Sequence, residues 1–112
     1  MLNMRILLAN EPRAYREVIA AAFQALRPNH EVISVAPDDL DAEVERLDPE
    51  FVLCSQLTPA VKQHPRSWVV LYPDGQTQAV ICVDGQQTTA GDVEFDQLLA
   101  IIDQTEDLST KH

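Results

Sequence analysis

Short apolar runs alternate with amphipathic stretches along most of this chain. Ile6-Leu7-Leu8-Ala9 is a continuous apolar run, which predicts a buried first strand. Asn10-Glu11-Pro12 breaks it, with Asn10 suited to a helix N-cap and Pro12 to a first turn. A 3.6-residue period follows. Val18, Ile19, Ala22, Phe23 and Leu26 share one predicted face, and Arg16, Glu17 and Gln24 point away from it. Pro28 and Asn29 end the helix. Residues 31 to 36 read as a second strand. Either Asp38 or Asp39 can cap a second helix with its stripe at Leu40, Val44 and Leu47.

Pro49 leads into Phe51-Val52-Leu53-Cys54, a run with the pattern of a strand buried on both faces. Thr58 and Pro59 then open a helix of about two turns, closed by Pro65. Residues 67 to 72 predict a fourth strand. Pro73-Asp74-Gly75-Gln76 is a turn, and residues 78 to 83 are again strand-like, so no helix fits between these two strands. They are expected to pair antiparallel. Asp84-Gly85 signals a second hairpin, with Gln86 to Thr89 returning as a short polar edge strand. Asp92 is placed to cap a last helix carrying Phe95, Leu98, Leu99 and Ile102 on one face. The domain is expected to span residues 1 to 105, with a polar, frayed tail over 106 to 112.

Strand-helix-strand-helix-strand implies right-handed crossovers and a parallel core. The expected fold is an α/β three-layer flavodoxin-like sandwich, sheet order 2-1-3-4-5, with the last strands antiparallel. In such sheets, sites form at the carboxyl ends of central strands. That places Ser55 and Gln56 at the functional end.

Charge narrows the partners. With 18 acidic against 8 basic residues the formal net charge is -10. Nucleic acid is excluded as a partner, because phosphate binding draws on Lys/Arg patches. Anionic membrane surfaces are excluded on the same ground. The opening MLNMRILLAN turns polar too soon for a signal peptide, and no apolar run approaches membrane-span length. The expected location is cytoplasmic. Cys54 and Cys82 sit in apolar runs and read as reduced, buried packing residues. No metal-ligand spacing occurs.

Two stretches carry a resemblance. RILLANEPRAYREVI, residues 5 to 19, is similar to the opening strand, acidic turn, Glu-Pro and first helix of a known family. DPEFVLCSQLTP, residues 48 to 59, is similar to that family's Pro-Asp-hydrophobic strand and the proline beyond it. Residues 4 to 59 thus resemble the receiver domain of two-component response regulators. The resemblance implies a site whose residues have changed. Receivers hold Mg²⁺ with paired acids after the first strand, where this chain has Ala9 and Asn10. The phospho-accepting aspartate aligns with Ser55. The family's Thr/Ser after the fourth strand falls near Tyr72, and its lysine falls near Asp84-Gly85; the only lysines are Lys62 and Lys111.

An acyl phosphate needs a carboxylate, Mg²⁺ needs hard anionic oxygens, and phosphoryl transfer needs cations on the equatorial oxygens. Ala9, Asn10 and Ser55 supply little of this, and Glu11 alone holds a cation only weakly. The expectation is therefore a degenerate pocket (Ala9, Asn10, Glu11, Ser55, Tyr72) in a non-enzymatic regulatory module for signal transduction, with no cofactor, no metal and no aspartyl phosphate. The alternative is a small-molecule or phosphate-binding enzyme or carrier domain using the ends of strands 1, 3 and 4.

Cys54 and Ser55 alternate faces if the strand runs on, so the two are not expected to share a pocket. His30 and His64 read as surface residues, and Asp38, Asp39, Asp41, Glu43 and Glu45 as a solvated acidic face. Trp68, Tyr72, Val80 and Cys82 are either core or an uncovered strip where a helix is missing. A protein partner, such as a second copy forming a homodimer through the hairpin side, would cover such a strip.

Overall fold

The computed structural model describes residues 4 to 71 and 78 to 110. The strands are β1 (Arg5–Ala9), β2 (Glu31–Ser34), β3 (Phe51–Cys54), β4 (Ser67–Val70), β5 (Ala79–Val83) and β6 (Gln86–Ala90). The helices are α1 (Arg13–Leu26), α2 (Leu40–Leu47), α3 (Pro59–Gln63) and α4 (Phe95–Thr110), with a single 3₁₀ turn at Pro37–Asp39. The sheet order is β2-β1-β3-β4-β5-β6. β1 to β4 form the parallel core, and β5 and β6 add antiparallel hairpins. The expected order thus holds, with β6 as a sixth strand. Tyr72 and the turn expected at residues 73 to 76 lie outside the described residues.

The alternation along each central strand divides the core in two. Ile6, Leu8, Phe51, Leu53 and Val69 face α1 and α4, where Ile19, Phe23, Leu98, Ile101 and Ile102 close over them. Leu7, Ala9, Val52, Trp68, Val70 and Cys82 face the other way, with Leu40, Val44 and Leu47 of α2 and Ala60 and Val61 of α3. Phe23 stacks on Phe95 at a centroid distance of 5.2 Å, tying α1 to the start of α4.

Several local expectations are overturned. Val18 and Leu26 are exposed at 66% and 51%, whereas Arg16, expected outside, is buried. The inward stripe of α1 is narrow because the helix lies at the sheet margin over β1 and β2. There Gln24 donates to the His30 carbonyl and accepts from the Val32 N–H, so its side chain takes up main-chain groups beside the edge strand β2. His30 is buried rather than on the surface; its Nδ1 accepts the Met4 N–H at 3.2 Å.

Neither Asp38 nor Asp39 makes a capping bond, because both lie in the 3₁₀ turn, which supplies main-chain bonds to the start of α2 instead. Thr58 does cap α3, accepting the Val61 N–H at 3.3 Å. At the other end of the chain, α4 runs to Thr110 through the expected tail. The buried Thr105 explains this: its hydroxyl bonds Ser67 Oγ at 2.8 Å and the Ile101 carbonyl at 2.7 Å, pinning the helix to β4.

Candidate functional site

The pairing of β1 with β3 sets Ala9 directly beside Cys54. The residues that follow, Asn10-Glu11 and Ser55-Gln56, therefore meet at the carboxyl end of the sheet. The Glu11 N–H donates to Ser55 Oγ at 2.9 Å and joins the two strand ends. Ser55 is half-buried and Glu11 exposed. A cavity of about 30 Å³ lies here, lined by Ala9, Glu11, Leu40, Cys54, Ser55 and Thr58 among others. That volume suits one or two waters and not a metabolite. Cys54 and Ser55 line it together, contrary to the alternation expected for a continuing strand. The reason is that the chain bends immediately after Cys54, so the period of two ends there.

The cysteine is chemically quiet. Burial, partly offset by a bond from the Gln56 backbone and reinforced by the charge of Asp41, pushes its thiol up to about 12. The nucleophile is the thiolate, so Cys54 is inert near neutral pH. Neither His30 nor His64 is placed to activate Ser55. His64 is exposed beyond α3, and His30 lies at the opposite end of the sheet, against Met4, with Nε2 3.7 Å from Glu106.

Asn10 differs most from its expected role. It caps nothing, since the N-cap of α1 is Pro12 and has no side-chain bond. The residue is fully buried, and both polar atoms of its amide lack a hydrogen-bond partner among the described residues. Such orphaned groups are rare in interiors and costly. Beside it, Arg16 lies 6% exposed. Its Nε donates to Ser34 Oγ at 2.8 Å and one terminal nitrogen to the Asn10 carbonyl at 3.4 Å. It forms no ion pair among the described residues. Arg16 thus fastens α1 to the ends of β1 and β2. The sequence assigned Arg16 to the polar face, because the helical period could not register that this end of α1 sits over polar strand ends.

The strip at Trp68, Val80 and Cys82 is not an uncovered surface. Trp68 and Cys82 are 2% and 5% exposed, and Val80 packs half-buried against the same cluster. Among the described residues these three form no exposed strip, and Tyr72 lies outside them. Of the acidic face, Asp38, Asp39, Asp41 and Glu45 are exposed, while Glu43 is paired with Arg46 at 2.5 Å. That bond lowers the Glu43 carboxyl below its ordinary range. Asp84 and Gly85 form the turn of the β5–β6 hairpin, as the Asp-Gly pair indicated.

No protein-family model, curated protein or solved structure matches this chain. What the fold defines is an α/β domain with a mixed six-strand sheet, a parallel core and antiparallel β4-β5-β6 hairpins. Among the described residues, no helix is long and apolar enough to cross a membrane.

Proposed function

We propose that this domain is a degenerate, receiver-like module of flavodoxin-like architecture that acts by binding a protein and not by catalysis or aspartyl phosphorylation. The observation that carries the reading is the Ser55–Glu11 bond. At the strand end where a receiver needs a free carboxylate, this chain has a hydroxyl already engaged by the neighbouring main chain. Around it stand an alanine, an amide and a protonated thiol, which give Mg²⁺ no charged oxygen, and Glu11 supplies one carboxylate where paired acids are needed. The hydrophobic strand pattern and sheet order suit a receiver scaffold, and the substitutions suit the loss of its switch. Incubation with acetyl phosphate and Mg²⁺, read by intact mass, tests this. No adduct is expected; a stable gain of about 80 Da, one phosphoryl group, contradicts it.

A second reading, a small-ligand or phosphate-binding domain, draws support from the orphaned Asn10 amide. The cavity at Ser55 weighs against it, being small and not lined by Asn10. A ligand-dependent rise in melting temperature across a panel of phosphates and metabolites would favour this second reading.

A further inference from the structure

β6 ends the sheet, and among the described residues no strand pairs with its outer main-chain edge. The loop before it holds Asp84 and Gly85 at φ 52° and 85° between the paired residues Val83 and Gln86. Two left-handed residues make the two-residue hairpin turn, whose closing pair exchanges both main-chain bonds. Bonding alternates along an antiparallel ladder, so Gln86, Thr88 and Ala90 turn their N–H and C=O groups toward β5, while those of Gln87 and Thr89 point outward. Thr88 lies opposite Ile81 and shares its face. On that face a groove of about 390 Å³ separates the hairpin from α4, lined by Ile81, Val83, Thr88, Gln97, Ala100 and Gln104 among others.

Charge sets this region apart. The chain has a net charge of -10, yet residues 85 to 91 contain no charged side chain, and neither does the groove. Natural sheets guard open edges with lysine, proline or bulges, and β6 has none of these.

We propose that β6 pairs antiparallel with β6 of a second copy of this chain, about a two-fold axis at Thr88. The proposal rests on the protein-binding reading above and names the partner. Two chains, each at -10, can approach closely only where carboxylates are kept apart; the paired residues 86 to 90 carry none, and Asp84 and the partner's Asp92 fall beyond the last pair on each side. A basic partner would be drawn instead to the acidic face near α2.

The pairing is self-complementary. With Thr88 opposite the partner's Thr88, Gln87 stands opposite the partner's Thr89, and these are the residues whose main-chain groups are free to exchange bonds; the symmetry repeats the pair. The axis is normal to the sheet. It keeps α4 and its copy on one face and closes the groove from the far side, across the neutral positions Gln97, Ala100 and Gln104.

Size-exclusion chromatography with light scattering at high micromolar concentration tests the proposal. Wild type should show twice the 12.5 kDa chain mass. Thr88→Lys, which sets two ammonium groups against each other, and Thr89→Pro, which removes an outward N–H, should each return a single chain mass with an unchanged circular dichroism spectrum. Glu45→Lys, on the exposed face of α2, should stay doubled. Amide exchange on wild type should show Gln87 and Thr89 losing protection on dilution, a readout that stands even if a variant fails to fold. A single-chain mass for wild type, a higher assembly, folded edge variants that stay doubled, or concentration-independent exchange at Gln87 and Thr89 each overturns it. A phosphoryl adduct on a doubled wild type would overturn the reading of the site and spare the interface; a single-chain mass with no adduct would do the reverse.

Discussion

Replacing Asn10 with leucine should stabilise this protein. The two side chains share one branched heavy-atom skeleton, so the substitution changes chemistry more than shape. Asn10 is completely buried, and its Oδ1 and Nδ2 have no partner among the described residues. A buried amide left unpaired costs about 1–3 kcal/mol relative to water. Leucine removes that cost and leaves the main-chain carbonyl of residue 10 in place to accept from Arg16.

The expected gain for Asn10→Leu is therefore about 1–3 kcal/mol. At about 4 °C per kcal/mol for a domain near this size, the melting temperature should rise by roughly 4–12 °C. Urea unfolding followed by circular dichroism should show a higher midpoint with an unchanged slope. Asn10→Ala is a useful companion. It removes the same amide but leaves a void, so the two effects oppose and the net change should be small. A loss of stability in Asn10→Leu would refute the reasoning, because it would mean that the amide is satisfied. A gain would mark Asn10 as a residue the fold carries at a cost, the pattern expected of a site and not of a scaffold position.

Other outcomes follow from the same structure. Thr105→Val should cost about 1–3 kcal/mol by orphaning the Ser67 hydroxyl, and adding Ser67→Ala should restore much of it; urea midpoints of the singles and the double measure that coupling. Cys54 should resist a thiol reagent in the native protein at neutral pH and react in urea. Its thiol pKa is raised by burial from 9.0 to about 12, so the native state holds its proton where the unfolded state releases it. Stability contributed by this group is full below pH 9 and falls as pH rises toward 12, at about 1.4 kcal/mol per pH unit; Cys54→Ala should flatten that slope in alkaline melts. Arg27→Ala breaks a two-pronged pair with Asp103, both contacts at 2.7 Å. With the aspartate side chain 47% exposed, the loss should be no more than about 1 kcal/mol and should shrink in high salt, checked by melts across ionic strength.

The sequence by itself determined the element order, the parallel core and the antiparallel finish. It could do so because continuous apolar runs, proline punctuation and the Asp84-Gly85 turn are local signals with local causes. The same holds for the α2 stripe, the Thr58 cap and two buried cysteines. Only the tertiary structure decided matters that depend on which surfaces meet. The helical period put Val18 and Leu26 inside and Arg16 outside, but α1 lies at the sheet margin, where its first turns cover polar strand ends. Trp68 and Cys82 looked available for docking because one helix is missing; the core cluster under α2 and α3 takes them in regardless. α4 outruns the polar tail because one buried hydroxyl, Thr105, finds Ser67 across the sheet. The site shows the same division. That Ser55 follows a buried central strand and stands at the carboxyl end of the sheet is legible in the sequence. That its hydroxyl is engaged by Glu11, and that Asn10 is buried with no partner for its amide among the described residues, depends on two strand ends separated by more than forty residues coming together.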